Sequence, residues 1–431
     1  MQLSIDGERF RFDSELTYSD SPAAERVGGL LMNARFIQGI FDDAAGRERY
    51  ARFGHEVYDP ETQTDRLIAA LPAWYDWGLR AFTVGFQGGG PCFTTQNSDI
   101  LNNPYGPKGD RLDEAYASRM DRVIRAADQL GMAVMVSFLY GRQTCRLEDD
   151  HAVRRAVETA SRWLKEGGYQ NVIIEVANEQ DIPEFTARPI VQQAYGMAEL
   201  IRVAQSASGG MPVGCSGGGG SVREPIASAS DVVLIHGNGQ SRQRMHKLIQ
   251  RAKAFAPGRP IVCNEDSPAV SNVPVSVREG VSWGYYNNFS KQEPPTDFGV
   301  LPGNDLCFAW RMKEALGYPV EPLADGDAFV LYGLGEHEWA HAGAGGYAGG
   351  DRLVKRWPGL ACVWPERVDR VVFERDGEVV EVSYDDPFAV GWQNNWYHSG
   401  WVAEPGEHRW KATAYLLDGS EVVREAVAEM A

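Results

Sequence analysis

The sequence predicts an α/β protein in which a (β/α)8 barrel of the TIM type is followed by a small C-terminal antiparallel β-sandwich. Short apolar, β-branched runs alternate eight times with helical stretches over residues 30–316, which is the pattern of an eight-stranded βα barrel. From about Pro358 the apolar period changes to two, as in antiparallel strands. The apolar run 171–179 follows a Gly-Gly turn and indicates a strand buried on both faces.

The barrel elements follow in order along the chain. Residues 3–18 alternate around Asp6-Gly7 and predict a hairpin that closes the bottom of the barrel. The predicted strands are residues 30–36, 81–86, 132–139, 171–179, 212–215, 231–236, 260–265 and 281–286. The predicted helices are residues 65–78, 116–130, 153–164, 190–201, 222–230, 245–255 and 305–316, of which 222–230 has the weakest pattern. Long polar segments after strands one, two and eight predict high walls around the carboxyl ends of the strands.

These patterns divide the chain into three segments. Residues 1–340 are the barrel with its N-terminal hairpin, 341–357 a glycine-rich connector, and 358–431 an immunoglobulin-like β-sandwich. In the last segment, Asp376-Gly377 and Asp418-Gly419 separate alternating apolar runs and predict two hairpins. The length of this segment suits one immunoglobulin-like module.

The composition excludes several classes of protein. The 42 Lys and Arg against 59 Asp and Glu give a formal net charge of −17, which disfavours nucleic acid and anionic membranes as partners. No window approaches the roughly 20 apolar residues of a membrane span, and the N-terminus lacks the pattern of an export signal. The six Cys have no CxxC spacing, so neither a zinc cluster nor a disulfide framework is predicted. A cytoplasmic location is expected, although a trimmed signal peptide would leave the same sequence.

Two strand ends carry the residues that indicate chemistry. The fourth strand ends in Asn178 and Glu179, and the seventh ends in Asn264 and Glu265. Barrel enzymes keep their reactive groups at the carboxyl ends of the strands, and these two strands lie across the barrel from each other. Cleavage of a glycosidic bond requires two such carboxyl groups, one as acid and one as nucleophile or base. The sequence therefore predicts a glycoside hydrolase with Glu179 and Glu265 as its catalytic pair.

Further polar residues accompany this pair. Glu175 shares a strand face with Glu179, so it needs a cationic or donor partner in the interior, and Arg35 on the first strand is the candidate. Arg35 and Gln87 are also candidates for binding the substrate, with ordinary polar roles in the core or in a loop as the alternative. Asp181 and Asp266 lie beside the two glutamates and are the alternative carboxylates.

The sequence EVANE at residues 175–179 resembles the acid/base motif of cellulase-like members of clan A, a large clan of retaining glycosidases with a (β/α)8 barrel. The resemblance covers residues 1 to about 320, and its specific motifs lie at strands four and seven. It implies that Glu179 is the acid/base, that Glu265 is the nucleophile, and that the cleaved bond is equatorial, β-D or α-L.

The same resemblance implies roles in substrate binding. Asn178 would hold the sugar 2-hydroxyl, His236 takes a position often occupied by His near the nucleophile, and Trp283 would be the aromatic platform under the reacting sugar. The expected Arg near the end of strand two and the His after strand three are absent, and Gln87 and Arg142 are the candidate substitutes. For His236 and Trp283 a buried structural role is the alternative.

Two other functions are alternatives. His337, Glu338 and His341 match the H-E-x-x-H motif of zinc hydrolases, but flanking glycines disfavour the helix that this motif requires. A non-catalytic carbohydrate-binding barrel is the second, although binding alone does not require two opposed glutamates. The glycines at 217–220 predict a tight turn near the pocket, because no Walker spacing follows them.

The expected partner is an oligosaccharide or small glycoside, and no cofactor or metal is expected. The predicted walls leave a pocket that is open at one end, so exo action is favoured over cleavage within a polymer. The sandwich resembles bacterial immunoglobulin-like domains appended to glycosidases. It could bind glycan, brace the barrel, or contact a neighbouring subunit of a homo-oligomer.

Overall fold

A computed structural model describes residues 1–48, 58–88, 90, 102–292, 296–334, 341–342, 354–393, 396–397, 400–402 and 404–430. His337, Glu338 and the side chain of His341 lie outside the described part of the chain, so the zinc-type motif has no described geometry. Most of the glycine-rich connector lies outside it as well.

The chain begins with a small antiparallel sheet. Its strands are β1 (Leu3–Asp6), β2 (Arg9–Phe12) and β3 (Glu15–Leu16). Leu3 and Phe10 are buried in one apolar cluster with barrel residues that include Ala81, Ile173 and Val262. Since Ala81 begins its strand, this cluster lies at the amino ends of the strands. The predicted hairpin that closes the bottom of the barrel is confirmed.

Eight parallel strands form the barrel. They are β4 (Asn33–Arg35), β5 (Ala81–Gly85), β6 (Ala133–Tyr140), β7 (Val172–Asn178), β8 (Val213–Gly214), β9 (Val233–His236), β10 (Ile261–Glu265) and β11 (Gly284–Tyr285). Hydrogen bonds join them in the order β11-β4-β5-β6-β7-β8, with β9 and β10 as a further pair. The Asp231 N–H donates to the Val213 carbonyl over 2.8 Å, which connects β8 to the segment entering β9. A parallel bridge between Val262 and Ser282 connects β10 to the segment entering β11. The strands therefore close into the predicted (β/α)8 barrel.

Helices surround the strands. They are α1 (Ala24–Val27), α2 (Pro60–Trp77), α3 (Glu114–Leu130), α4 (Asp150–Glu166), α5 (Pro189–Gln192), α6 (Ala194–Ser208), α7 (Glu224–Ala229), α8 (Arg242–Phe255), α9 (Val273–Arg278), α10 (Asn288–Gln292), α11 (Asn304–Ala315) and α12 (Asp325–Ala328). Short 3₁₀ turns are Gly141–Arg146, Pro183–Phe185, Val270–Asn272 and Pro365–Arg367. A short helix, α7, forms within 222–230, where the sequence pattern was weakest.

Local chemistry sets the ends of the long helices. The side chains of Asp59, Asp113 and Asp149 accept hydrogen bonds from backbone N–H groups in the first turns of α2, α3 and α4, which would otherwise have no partner within the helix. Gly78 and Gly131 end α2 and α3 in the left-handed conformation, which glycine adopts without steric cost. With α2 and α3 ended at these glycines, the chain enters the following barrel strands within three residues.

The C-terminal strands form antiparallel sheets. They are β12 (Phe329–Tyr332), β13 (His341–Ala342), β14 (Val354–Arg356), β15 (Gly359–Cys362), β16 (Val368–Arg375), β17 (Glu378–Ser383), β18 (Phe388–Ala389), β19 (Trp392–Gln393), β20 (Trp396–Tyr397), β21 (Trp401–Val402), β22 (Gly406–Leu416) and β23 (Glu421–Met430). The sheets β12-β15-β18 and β17-β16-β22-β23 share one apolar core that contains Leu360, Val371 and Trp410. Cys307 and Trp310 of α11 also lie in this core, so the sandwich packs on the barrel.

Strand β12 comes from a part of the sequence that was assigned to the barrel segment. It pairs with β15 over four residues on each strand, a long-range pairing that local alternation does not signal. Among the described residues, no helix is long and apolar enough to cross a membrane.

Candidate active site

Glu179 lies one residue beyond β7, in a turn that is held by hydrogen bonds to Ser216, just beyond β8. Its backbone has a φ of 50°, in the left-handed region that residues other than glycine rarely adopt. The Glu179 N–H donates to Ser216 Oγ over 3.1 Å, and the next N–H, of Gln180, donates to the Ser216 carbonyl over 3.0 Å. Such strained conformations persist where the surroundings over-determine them. Here the turn brings the Glu179 side chain to the barrel mouth beside His236.

Glu265 ends β10 next to an irregularity in the strand. The pairing of β10 with β9 shifts register between Cys263 and Glu265. In a regular strand, neighbouring side chains face opposite sides, whereas a bulge can re-aim one of them. As a result, Asn264 contacts Glu175 over 2.8 Å while Glu265 contacts Arg35 over 2.8 Å. Both consecutive side chains therefore enter one site.

The two predicted glutamates converge on one histidine. His236, at the end of β9, has its Nδ1 atom 3.1 Å from Glu179 Oε1 and 3.6 Å from Glu265 Oε2. One ring nitrogen of His236 and one carboxylate oxygen from each glutamate all lie within 4.8 Å of one another. The exposed fraction of the Glu179 side chain is 22%, against 8% for Glu265. The sequence-predicted pair therefore meets at the carboxyl ends of β7 and β10.

Arg35 on β4 connects the residues beneath this pair. The Arg35 Nε group lies 2.8 Å from Glu265 Oε2, and its Nη2 donates to Asn178 Oδ1 over 2.6 Å. Its Nη1 lies 3.5 Å from Glu175 Oε2. The predicted pairing of Arg35 with Glu175 is confirmed, and the guanidinium also fixes the orientations of Asn178 and Glu265.

Glu175 is fully buried and surrounded by donors. One of its carboxylate oxygens accepts hydrogen bonds from Ser216 Oγ and Asn264 Nδ2, each over 2.8 Å. The same oxygen lies 3.9 Å from Nε2 of His236. The other oxygen lies 3.5 Å from Arg35 Nη1 and has no hydrogen bond to the described part of the chain, so the ion pair with Arg35 compensates the burial of this side of the charge.

The electrostatics of the cluster follow from these contacts. Burial opposes ionisation of Glu175, but Arg35, His236 and Asn264 outweigh it and lower the pKa of Glu175 to about 2. Burial also opposes protonation of His236, but the nearby carboxyl groups of Glu265, Glu175 and Glu179 raise the pKa of His236 to about 10. Burial raises the pKa of Glu265, and His236 and Arg35 offset it only in part. Near neutral pH the cluster therefore holds two cations, Arg35 and His236, and the Glu175 anion.

Asp266 and Trp283 form a layer below the site. Asp266 is buried and accepts hydrogen bonds from Trp283 Nε1 and Asn272 Nδ2, each over 3.0 Å. Burial raises the pKa of Asp266 to about 7. The Trp283 ring is fully buried and packs against Phe308 with a centroid distance of 5.4 Å. Trp283 therefore supports the residue that follows Glu265, in the position of a packed core side chain.

Gln87 and Asp181 hydrogen-bond to the loops around the site. Gln87 is buried, and its carbonyl oxygen accepts hydrogen bonds from Thr144 Oγ1 and the Tyr140 N–H over 2.8 and 3.1 Å. Asp181 accepts hydrogen bonds from the Gly218 N–H and Ser221 Oγ over 2.7 and 2.5 Å. Gln87 therefore ties together the loops after β5 and β6, and Asp181 holds the glycine-rich turn that follows β8.

A metal ion is one chemical possibility for the three ligand atoms at the site. Metal binding to a histidine requires the neutral ring, whereas the pKa of His236 is raised to about 10. The Arg35 cation already contacts Glu265 at 2.8 Å and would repel a second positive charge. The charge of Arg35 therefore disfavours a metal ion at Glu265.

Three polar residues hold the two buried glutamates in ways that the sequence patterns do not predict. Ser216 and Asn264 hold Glu175, and Asn238 Nδ2 donates to Glu265 Oε1 over 2.9 Å. The repeated Asn-Glu at the ends of β7 and β10 was a signal for Asn264, whereas Ser216 and Asn238 lie in turns whose geometry cannot be read from local periodicity.

No protein-family model matches the sequence. A comparison with curated proteins likewise gives no match. Among solved structures, the chain is similar to an endo-β-1,4-mannanase from Thermotoga petrophila, with a TM-score of 0.43 and 12% identity over 93% of this chain and 97% of that one. A protein described as a glycoside hydrolase matches with a TM-score of 0.48 and 12% identity over 99% and 97% of the two chains.

An exo-β-1,4-mannosidase from an Opitutaceae bacterium matches with a TM-score of 0.43 and 14% identity over 66% of this chain. The match spans only 54% of that longer protein. TM-scores below 0.5 at such low identity give no basis for transferring a function. The barrel rests on its own strand pairing, and its chemistry on its own side chains.

Proposed function

We propose that this protein is a retaining glycoside hydrolase that cleaves an equatorial β-D or α-L glycosidic bond by double displacement. The observation that carries the proposal is the approach of Glu179 and Glu265 to within 4.8 Å at the mouth of the barrel. Retaining enzymes hold their two carboxyl groups about 5 Å apart, whereas inverting enzymes leave roughly 6.5–9.5 Å for a water molecule. The spacing therefore supports direct attack by one carboxylate.

Glu265 is the proposed nucleophile. Its two oxygens contact Arg35 Nε at 2.8 Å and Asn238 Nδ2 at 2.9 Å, which fixes the carboxylate and favours its anionic form. In the first step, a Glu265 oxygen would bond to the anomeric carbon while the glycosidic C–O bond breaks. The result is a covalent glycosyl-enzyme, with the positive charge of the transition state facing a preorganised carboxylate.

Glu179 is the proposed acid/base. It would give a proton to the leaving oxygen in the first step and take one from water in the second. The larger exposed fraction of its side chain, 22% against 8% for Glu265, supports this assignment, because the second step requires access to water. His236 contacts both carboxylates and would keep them in register.

Asn178 is the proposed contact for a substrate hydroxyl. Its carbonyl oxygen accepts from Arg35 Nη2 over 2.6 Å, so the orientation of the amide is set and its NH₂ group is left to donate. A hydrogen bond to the sugar that strengthens as positive charge develops would lower the barrier rather than only improve binding.

Exo action is part of the proposal, and the support for it is the length of the connections between barrel elements. The connections after β4, β5 and β11 are long, and such segments often form pocket walls. The test is to follow over time the lengths of the products that are released from oligosaccharides whose reducing end has been chemically reduced. Fragments of intermediate length at early times would contradict exo action.

The main test is a panel of aryl glycosides, with product stereochemistry followed by NMR. We expect retention, and we expect Glu179→Ala and Glu265→Ala to lose turnover. Azide should restore the turnover of both variants. Glu179→Ala should give a glycosyl azide of retained anomeric configuration, and Glu265→Ala one of inverted configuration. Glu166→Ala, which changes an exposed glutamate at the end of α4, is the matched control. Sugar binding by the wild type without any turnover would instead support the carbohydrate-binding alternative.

A further inference from the structure

A second cavity lies between the barrel and the C-terminal sandwich. Its volume is about 1000 Å³, at the upper end of the range for ligand pockets. One wall is the loop after β9 together with the start of α8, including Gly239 and Gln243. The other wall comes from β17, β19 and the segment between β17 and β18, including Tyr384 and Trp392.

This cavity shares a loop with the glutamate pair. Asn238, which donates to Glu265 over 2.9 Å, directly precedes the wall residues Gly239 and Gln240. The Gln240 carbonyl accepts from Asn272 Nδ2 over 2.9 Å, and the same Asn272 amide contacts Asp266. The loop that holds Glu265 therefore also forms one wall of the cavity.

Direct bonds hold the two walls together. Asp386 of the sandwich accepts hydrogen bonds from Ser271 Oγ over 2.6 Å and from the Ser271 N–H over 3.2 Å. Glu366, another wall residue, lies 2.7 Å from Nη2 of Arg311 on α11. The cavity is therefore preformed, which reduces the entropy lost when a ligand binds.

Its lining suits a neutral, hydroxyl-rich ligand. Tyr384 and Trp392 supply aromatic rings with polar edges, which can lie against the apolar face of a sugar. Gln240, Gln243 and Gln393 add amides that can both donate and accept hydrogen bonds.

The charges along the wall are mixed in sign. Arg242 and Arg244 face the cavity together with four carboxyl groups, those of Glu366, Glu381, Asp385 and Asp386. A site for a phosphate or a uronate would instead concentrate positive charge. The excess of carboxyl groups therefore disfavours an anionic ligand, and the aromatic rings and amides favour a neutral one.

We propose that this cavity is a distal subsite that binds neutral sugar units of an oligosaccharide substrate, with the sandwich supplying the aromatic contacts. The inference rests on the proposed hydrolase function and assigns the sandwich a part in substrate recognition. It predicts that selectivity for longer substrates depends on residues that lie far from the cleaved bond.

The test uses Trp392→Ala on the sandwich side and Gln243→Ala on the barrel side. Substrates are neutral β-1,4-linked gluco-, manno- and xylo-oligosaccharides of two to six units and the matching aryl monoglycosides. For the oligosaccharide that is cleaved best, Trp392→Ala should lower the ratio of its kcat/KM to that of the monoglycoside about tenfold. Gln243→Ala should lower the same ratio less. Tyr195→Ala, at an aromatic residue that is 80% exposed on α6, should leave the ratio unchanged.

The possible results separate the two proposals. If the wild type hydrolyses glycosides but neither cavity variant changes the ratio, the subsite is refuted while the hydrolase function stands. Preference for a charged probe such as oligogalacturonate would refute the neutral ligand class. If the wild type hydrolyses no glycoside at all, the function itself fails. Calorimetry with the same oligosaccharides then decides the subsite, which is refuted if wild type and Trp392→Ala bind equally. Gln243→Ala keeps the test valid if Trp392→Ala does not fold.

Discussion

Glu175→Gln tests the charge cluster below the proposed active site. The glutamine keeps an oxygen that can accept from Ser216 and Asn264, which donate to Glu175 over 2.8 Å each, so the substitution removes mainly the charge. Arg35, at 3.5 Å, then loses one of its two buried anionic partners. Breaking a buried ion pair by removing one partner typically costs about 3–5 kcal/mol.

The pKa of Glu175 gives an independent magnitude. It is lowered from 4.5 to about 2 in the folded protein, a difference that corresponds to about 3 kcal/mol of stability at neutral pH. Because the folded pKa is the lower one, this contribution is present above about pH 4.5 and is lost as pH falls toward 2. The difference between wild type and Glu175→Gln should therefore be constant from pH 7 to about 5 and fall to about half near pH 3.

Urea unfolding, followed at several pH values with slopes compared between variants, measures this difference. Glu374→Gln is the matched control, because Glu374 lies 2.6 Å from Lys411 in a partly exposed pair whose contribution to stability solvent screening should keep small. Equal effects of the two substitutions at pH 7 would refute the reasoning. So would a Glu175→Gln effect that is the same at pH 3 and pH 7, since it could not come from ionisation.

Three further substitutions probe the same site. His236→Asn should reduce the dependence of the free energy of unfolding on pH, because a pKa raised from 6.5 to about 10 gives stability that is lost as pH rises through 10. If urea titrations give the same pH dependence for the variant and the wild type, this prediction is wrong. Arg35→Lys keeps the charge but cannot span three partners, so kcat/KM on an aryl glycoside should fall about 100-fold, and activity near wild type would refute its positioning role. Gly237→Ala places a Cβ 2.4 Å from Asp266 Oδ2, so it should lower kcat/KM while the circular dichroism spectrum stays unchanged. Gly326→Ala is its control, because a Cβ there meets nothing within 4 Å, and it should leave kcat/KM unchanged.

The barrel could be predicted because its strands carry strong local patterns. All seven residues of β7 are buried, as its continuous apolar run indicates for a strand covered on both faces. The short strands were harder, since β8 and β11 have two residues each and depend on pairing with neighbours. Strand β12 depends entirely on pairing with β15, which lies about 30 residues further along the chain, and no local signal reports such a contact.

The candidate site was predictable where strand ends meet and unpredictable where the backbone departs from regularity. Glu179 and Glu265 follow from topology, because parallel strands present their carboxyl ends at one face of a barrel. The left-handed turn at Glu179 and the register shift before Glu265 decide where these side chains point. A prediction from periodicity assumes a regular strand, so it includes neither feature. Trp283 shows the converse, since its position on a strand does not reveal that its ring is packed below Asp266 rather than against the mouth.

The distribution of charge explains why the two glutamates would have different roles. Arg35 and His236 are buried cations, and Glu175 and Glu265 are the buried carboxylates that face them. With both carboxylates ionised, these four groups sum to zero charge, which is the arrangement a low-dielectric interior tolerates best. Glu179 is the fifth and most exposed member of the cluster, which leaves it open to the water that the second step requires. An acid/base must change its protonation state in each half of the reaction, whereas a nucleophile must stay ionised until it attacks. The more exposed position of Glu179 suits an acid/base, and the two cations beside Glu265 oppose the rise in its pKa that burial causes.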